Sequence, residues 1–396
     1  MVAISLLLLS TLPPSTRAQE SASGAKSAGG ASANARLATL VADGSSALHA
    51  EDFATAEREF RAALPLAPRS LEVLNGLAIS LVKQGKIADA IPYYRRALAV
   101  KPGDPVTIRN LALAYFKLQK FSGALPLFTA LSTRDPADFQ AADLAGMSLF
   151  GLDRYPEAVN YLERASQIQP SDLPTLYMLG QAYLRSGNYA AVTDVFGRIM
   201  AIDPNSAEAH VMMGTAYDKT SQVAKGIEEY EEAEKANPDF PGVHSGLGVL
   251  YWERDEVEKA EEEFHEELKR FPEDAVANCV LGQIELRRDD TAAALALFEK
   301  AVEANPRYKE ALFGEGKAQL RLNQPRKALA PLRRAIEVDP NYAEAHYQLG
   351  NALAMLGRTA EAAKERETSL AIQKKQQSDY TKKLNHEPPP ASPEKP

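Results

Sequence analysis

Between Leu71 and Asp104, apolar and small side chains fall at Leu74, Leu77, Ala78 and Leu81, which is one face of a helix with 3.6 residues per turn. Gly85 then predicts a break. Ala90, Tyr94 and Ala97, spaced i, i+4, i+7, mark the inner face of a second helix, and Pro102 closes it. Proline has no amide to donate and disfavours helix in the residue before it.

The block recurs in phase. Prolines stand at Pro68, Pro102, Pro136, Pro170, Pro204, Pro238, Pro272, Pro306 and Pro340, every interval being 34 residues. This defines ten units, 37–70, 71–104 and so on to 343–376. Position 8 of each is glycine or alanine, from Gly44 and Ala78 to Gly350. Position 20 is small from Ala56 to Ala362, apart from Val192, and position 24 is large and apolar from Phe60 to Leu332, with Arg366 the exception. Small residues at 8 and 20 allow two helix axes to approach, and the large residue at 24 fills the space beside them.

The period and these positions resemble the tetratricopeptide repeat, over residues 37–376. The resemblance implies an all-α fold, an α-solenoid (superhelix) of antiparallel helix pairs with a concave groove. It also implies that positions 2, 5, 9, 12 and 13 of the first helices line that groove. Here these include Asn75, Arg109, beside Asn110, and Tyr177, while position 13 supplies Lys83, Lys117, Arg185 and Lys219, and further along Arg287 and Arg321. A row of cations in an acidic protein suits an acidic peptide or a terminal carboxylate; a basic residue near a helix C-terminus also simply suits the helix dipole. Phe116, Phe150, Tyr177 and Trp252 are candidate apolar anchors, or core. The family's chaperone-tail binders carry Lys and Asn at positions 5 and 9 of one unit, but Asn75 is followed by Ile79 and Arg109 by Leu113, so that function is not carried over.

The ends differ from the array. Val2–Leu12 is an apolar run, short for a membrane span, and Thr16-Arg17-Ala18 places small residues for cleavage after Ala18. Residues 1–18 are therefore expected to be a signal peptide and the protein exported to a periplasm or outside the cell, although no Lys or Arg precedes the run. Membrane association is expected only if that segment stays uncleaved. Residues 19–36, rich in Ser, Ala and Gly, read as a flexible linker. Unit ten has Lys374 in place of the closing proline, so its second helix should run on through 377–386 as a C-terminal cap, with 387–396 a Pro-rich disordered tail.

Composition narrows the function. A net charge of −8 gives nucleic-acid binding little electrostatic support. The single cysteine, Cys279, excludes an intramolecular disulfide and reads as a semi-buried small residue. His210, His244 and His346 share position 4, but equivalent residues of stacked helices stand roughly 8–10 Å apart, too far for one metal ion. The glutamates of 228–232 and 261–267 read as a solvated outer face. Glu285, Gln319 and Glu315 occupy positions where apolar residues are expected, and should find partners such as Arg287, Arg288 or Arg321. Pro92, Pro126 and Pro156 require second helices that start late, near Asp89 in unit two. With 36 residues before the array and 20 after it, no segment outside the repeats is large enough for a catalytic domain. The expected function is a non-enzymatic, cofactor-free scaffold that binds a protein or peptide; the alternative is an accessory subunit for an envelope or secretion machine.

Overall fold

The computed structural model describes residues 28–386, so the signal-peptide and tail assignments lie outside the described residues. Every described repeat is a pair of helices. The first body, ending at Pro204, holds α1 (Ala28–His49), α2 (Phe53–Ala63), α3 (Leu71–Lys83), α4 (Ile87–Val100), α5 (Pro105–Lys117) and α6 (Phe121–Arg134). It continues with α7 (Phe139–Phe150), α8 (Tyr155–Ile168), α9 (Leu173–Ser186) and α10 (Tyr189–Ile202). The second body, from Asn205, holds α11 (Ala207–Lys219), α12 (Val223–Ala236), α13 (Val243–Glu253), α14 (Val257–Arg270) and α15 (Ala275–Arg287). It ends with α16 (Thr291–Ala304), α17 (Lys309–Arg321), α18 (Pro325–Val338), α19 (Ala343–Met355) and α20 (Thr359–His386). Within each body every helix packs on the next, and strands are absent among the described residues, which is the all-α, α-solenoid arrangement of helix pairs.

Local chemistry fixes the helix ends. Position 34 is the N-cap of the following helix: Ser70, Asp104, Asp138, Asp172, Ser206 and Asp274 each accept a hydrogen bond from the amide three residues on, meeting one of the donors that a helix start leaves unpaired. Position 15 turns the chain with a left-handed residue in all ten repeats. It is glycine at Gly85, Gly187 and Gly357, but Glu51, Gln119, Asp153, Ser221, Asp255, Asp289 and Asn323 hold the same conformation with φ between 54° and 63°.

Position 24 is the centre of each joint. Its side chain lies between position 8 of its own repeat and position 6 of the next. Phe60 thus fits between Gly44 and Gly76, Tyr230 between Gly214 and Gly246, and Phe298 between Gly282 and Gly314. Phe60, Phe128, Phe264 and Phe298 are fully buried, as are the alanines at position 20 one turn before them on the same helix, such as Ala56 and Ala294.

Two expectations need correction. Residues 28–36 are not linker, because α1 starts at Ala28 and runs unbroken into repeat one. The second helix of repeat two starts at Ile87 and not near Asp89, which puts Pro92 in its second turn, inside the helix. Pro92 is exposed, so water can take the carbonyl that proline leaves without a donor. Pro126 is likewise interior to α6 and exposed. At the other end α20 continues to His386.

Candidate protein-binding grooves

Position 5, expected to face a groove, does so at Phe313 and Asp143, but in repeats two, three and seven it ties neighbouring repeats together. Asn75 is buried, its Nδ2 donating to Thr107 Oγ1 at 2.8 Å, and the Thr107 hydroxyl stands 2.8 Å from the N-cap carboxylate of Asp104. Arg109 pairs with the N-cap Asp138 and donates to Gln140 Oε1 at 3.0 Å. Ser245 Oγ donates to Asp274 Oδ1 at 2.9 Å. Asn110, at position 6 where Gly76 receives Phe60, is also buried. Asn75 and Asn110 are therefore joint residues closed to a ligand, and the Arg109 guanidinium is already held. The physical reason is that position 5 sits beside the next helix start, whose acidic N-cap attracts any donor placed there.

The remaining predicted residues keep their exposure. Lys83 and Lys117 are exposed at their ends, and the partial burial of Lys117, with a smaller effect of the Lys83 charge, lowers the Lys117 pKa. Arg185 is exposed, Tyr177 is half-buried, and exposed Lys219 pairs with Asp218 at 2.6 Å.

In the first body Lys117 stands at the edge of a cavity of about 550 Å³ whose walls are mainly apolar: Leu113, Phe116, Phe121, Phe139 and Leu144. Its polar lining includes Gln140 and the carboxylates Asp143 and Asp172. Positions 2, 5, 9, 12 and 13 contribute, as the resemblance implied, the fifth through Asp143, but so do Phe121 at position 17 and Phe139 at position 1, which sequence reasoning missed.

The second body carries a groove of about 360 Å³ with different chemistry. The Arg287 guanidinium stacks on Trp252, 3.9 Å from the ring centroid. Lys317 stands 6.0 Å from the Phe313 ring, half-buried and without a carboxylate partner among the described residues. Arg321 closes the edge, its Nη1 donating to Leu286 O at 2.8 Å, and Tyr342 lines the floor. The carboxylates paired with Arg287 and Arg321, Asp255 and Asp289, are 84% and 93% exposed at 3.3 and 3.5 Å, so they compensate those cations weakly. Glu310 is the one acid among the lining residues. Lys317, Phe313 and Tyr342 were not singled out in the sequence, although Lys317 lies at position 9 and Phe313 at position 5 of the same helix face.

Two family models, each described as tetratricopeptide repeat, match the chain: one over residues 41–105, 211–275, 247–309, 279–324 and 313–371, the other over 81–147 and 149–215. The chain belongs to the tetratricopeptide repeat family. It thereby carries the array of a protein-interaction scaffold, in a family whose members are typically non-catalytic. No curated protein matches it. Among solved structures it is similar to MamA from Desulfovibrio magneticus RS-1, taken from residue 41 to the end, at 24% identity and a TM-score of 0.40, covering 43% of this chain and 97% of that one. It is also similar to YrrB, described as a TPR protein with an unusual peptide-binding site, at 20% identity and a TM-score of 0.37, covering 45% and 92%.

Elsewhere in this tetratricopeptide repeat protein the polar residues that stood out in the sequence have local partners. His210, His244 and His346 each meet, through Nδ1, the glutamate at position 23 of their own repeat: Glu229 at 2.8 Å, Glu263 at 2.8 Å and Glu365 at 2.6 Å. Every repeat with histidine at position 4 has glutamate at position 23, whereas the repeats without it carry residues such as Tyr93 and Val195 there, repeat one keeping Glu59 opposite Leu40. Cys279 is fully buried and its thiol is pushed up to about 12, mainly by burial. Glu285 accepts from Arg288 as expected, at 3.2 Å, whereas Glu315 accepts from Gln319 at 3.0 Å and not from an arginine. Glu267, at a position that is otherwise mostly alanine, is buried and caps the adjacent helix: it accepts from the amides of Gly242 at 2.8 Å and Ser245 at 3.1 Å, where the N-cap residue of α13 is a glycine without a side chain.

Proposed function

We propose that the chain is a non-enzymatic scaffold that holds an extended segment of a partner protein along positions 2, 9, 12 and 13 of its first helices, and that the groove of the second body grips an acidic stretch of it. The observation that carries this reading is Lys317, an ammonium group half-buried over Phe313 beside the Trp252–Arg287 stack, with no carboxylate partner among the described residues. Partly dehydrated cations on aromatic faces are strong sites for carboxylates, because the desolvation is already spent in the free protein. Lys83, Lys117 and Arg185 in the first body and Lys219 in the second are exposed cations at position 13.

Photo-crosslinking in the native host tests it, with the probe at Gln283 in the groove and at exposed Glu262 on α14. The groove probe should trap a discrete partner that is lost on Lys317→Glu, and the outer probe should not. Trapping only from Glu262 would overturn the groove assignment. We further infer export, on the strength of the Val2–Leu12 run and the small residues before Gln19; among the described residues no helix is long and apolar enough to cross a membrane. Sequencing the N-terminus of protein from the native host should find it at Gln19, and an intact Met1 in cytosolic protein would refute export.

A further inference from the structure

The apolar cavity of the first body contains a carboxylate that the chain itself leaves without a cation. Asp143, on α7, is 9% exposed, and what remains of its surface belongs to the cavity lined by Phe116, Phe121 and Phe139. Its one hydrogen-bond partner is Thr175 Oγ1, at 3.0 Å. That hydroxyl also lies 2.7 Å from Asp172 Oδ2, and it has a single proton to give. Two carboxylates thus compete for one donor.

Repeat two shows how the same corner is satisfied. There Asn75 occupies the place of Asp143, Thr107 that of Thr175 and Asp104 that of Asp172. The Asn75 amide donates to the threonine oxygen and the threonine donates to the N-cap acid, so the acid is met without a second carboxylate competing for the hydroxyl proton. Repeat four replaces the amide by an acid and loses that donor. Burial and the negative charge of Asp172 push the Asp143 pKa up to about 6. The nearby cations do not offset this: Arg109 is held by Asp138 and Gln140, and Lys117 makes no ion pair with Asp143.

We propose that this cavity receives an arginine side chain from a partner protein, the guanidinium pairing with Asp143 and its stem and plane packing against the phenylalanines. The charge is complementary to an uncompensated acid, and the walls suit the one cation that stacks on aromatic faces and is weakly hydrated. This rests on the scaffold reading of the grooves but concerns the first body alone. The site would be read in opposite sense to the cationic groove of the second body, so one partner segment would need basic and acidic stretches in order, or two partners would sort between the bodies. Entry of the guanidinium favours the ionised acid, and below pH about 6, where Asp143 keeps its proton, binding passes that proton to water.

The test uses the full chain and two end-blocked, fluorescent heptapeptides, identical in their leucine-rich flanks and carrying arginine or its neutral isostere citrulline at the centre. Fluorescence anisotropy at pH 7.5 should show the arginine peptide binding at least ~10-fold tighter, as for a hydrogen bond to a charged group, with the advantage shrinking at pH 5. Asp143→Asn should abolish the preference without lowering the melting temperature at pH 7.5, since it rebuilds the corner seen at Asn75. Equal affinity for both peptides in the natural protein would overturn the arginine assignment while leaving a groove that binds segments. A preference surviving in Asp143→Asn, or no binding of either peptide, would overturn it as well. Failure of the Lys317→Glu experiment would bear on the second body and leave this result standing.

Discussion

Gly246→Ala is the sharpest probe of the joint geometry, because the same change elsewhere in the chain should act in the opposite direction. A Cβ at Gly246 would lie 2.2 Å from Cε1 and 2.3 Å from Cζ of Tyr230, where ordinary contact begins near 3.4 Å. The ring would have to retreat by more than about 1 Å. Its other face leaves no such room, since Cδ2 and Cε2 already stand 2.9 Å from the place a Cβ would take on Gly214. Retreat also draws the Tyr230 hydroxyl from Thr215 Oγ1, now 3.0 Å away. Overpacking costs ~1–3 kcal/mol and the hydrogen bond ~0.5–1.5 kcal/mol, against a gain of ~1 kcal/mol from replacing glycine in a helix. The net loss is about 1–3 kcal/mol, or several degrees in the melting of a body of this size. Gly197→Ala on α10, where nothing lies within 4 Å of the new Cβ, should instead gain about 1 kcal/mol. Thermal unfolding followed by far-UV circular dichroism reads both changes, and the fluorescence of Trp252, the single tryptophan, reports the second body. A Gly246→Ala protein that melts at or above the natural one would refute the packing argument, and Tyr230→Leu in the same chain should restore part of the loss.

Other changes test the polar corners and turns. Asp143 keeps a proton in the folded state that it has lost in the unfolded one between pH ~4 and about 6, so its contribution is full below pH ~4 and lost as pH rises through about 6. Relative to the natural protein, Asp143→Asn should therefore gain stability across that window, by at most about 3 kcal/mol at neutral pH; urea unfolding at pH 4 and pH 7 giving the same difference would refute it. Glu267→Ala removes the acceptor of two first-turn amides of α13 and should cost about 1–2 kcal/mol, with faster hydrogen exchange at Gly242 and Ser245; unchanged exchange there would show that the carboxylate is not their cap. Gln119→Gly should raise stability by about 0.5–1 kcal/mol by relieving a left-handed residue at φ 54°, while Gly85→Ala at the equivalent turn should lower it; the same sign for both in denaturant unfolding would contradict the turn assignment.

The periodic features were legible because each answers to a local rule repeated ten times. Proline at 32 ends a helix, a small residue at 8 admits a neighbour, and a large residue at 24 fills the joint, whatever the rest of the chain does. Position 5 was misread at Asn75 and Arg109, though not at Phe313 or Asp143, because their neighbours lie 29 to 32 residues away, across the next turn, and nothing in a single repeat says that Asn75 will find Thr107 or that Arg109 will find Asp138. The grooves were half legible. Residues on the first helices, such as Lys117 and Trp252, follow from helical spacing, whereas Phe121, Phe139 and Tyr342 enter from repeat positions 17, 1 and 34, where the chain turns between helices and the period predicts no side-chain direction. An aromatic at a helix boundary was the signal available, and it was not weighted. Pro92 was misplaced for a related reason: its helix tolerates an interior proline because that face is solvated, a property of the packed pair and not of the segment.

The fit between position 24 and position 6 of the following repeat also says which segments are interchangeable parts. Excising residues 275–308 would set Phe264 against Gly314, which accepts Phe298 today, and would place Asp274 directly before Lys309, giving α17 the capping carboxylate that Tyr308 does not provide. Excising residues 241–274 instead would press Tyr230, now seated on a glycine, against Val280. The first excision seats an aromatic on a glycine that already receives one and adds a missing cap, whereas the second sets Tyr230 on the valine beside which Phe264 is buried, a joint without a glycine seat. How well a shortened chain closes depends on which position-24 side chain meets which position 6 when the two ends are joined.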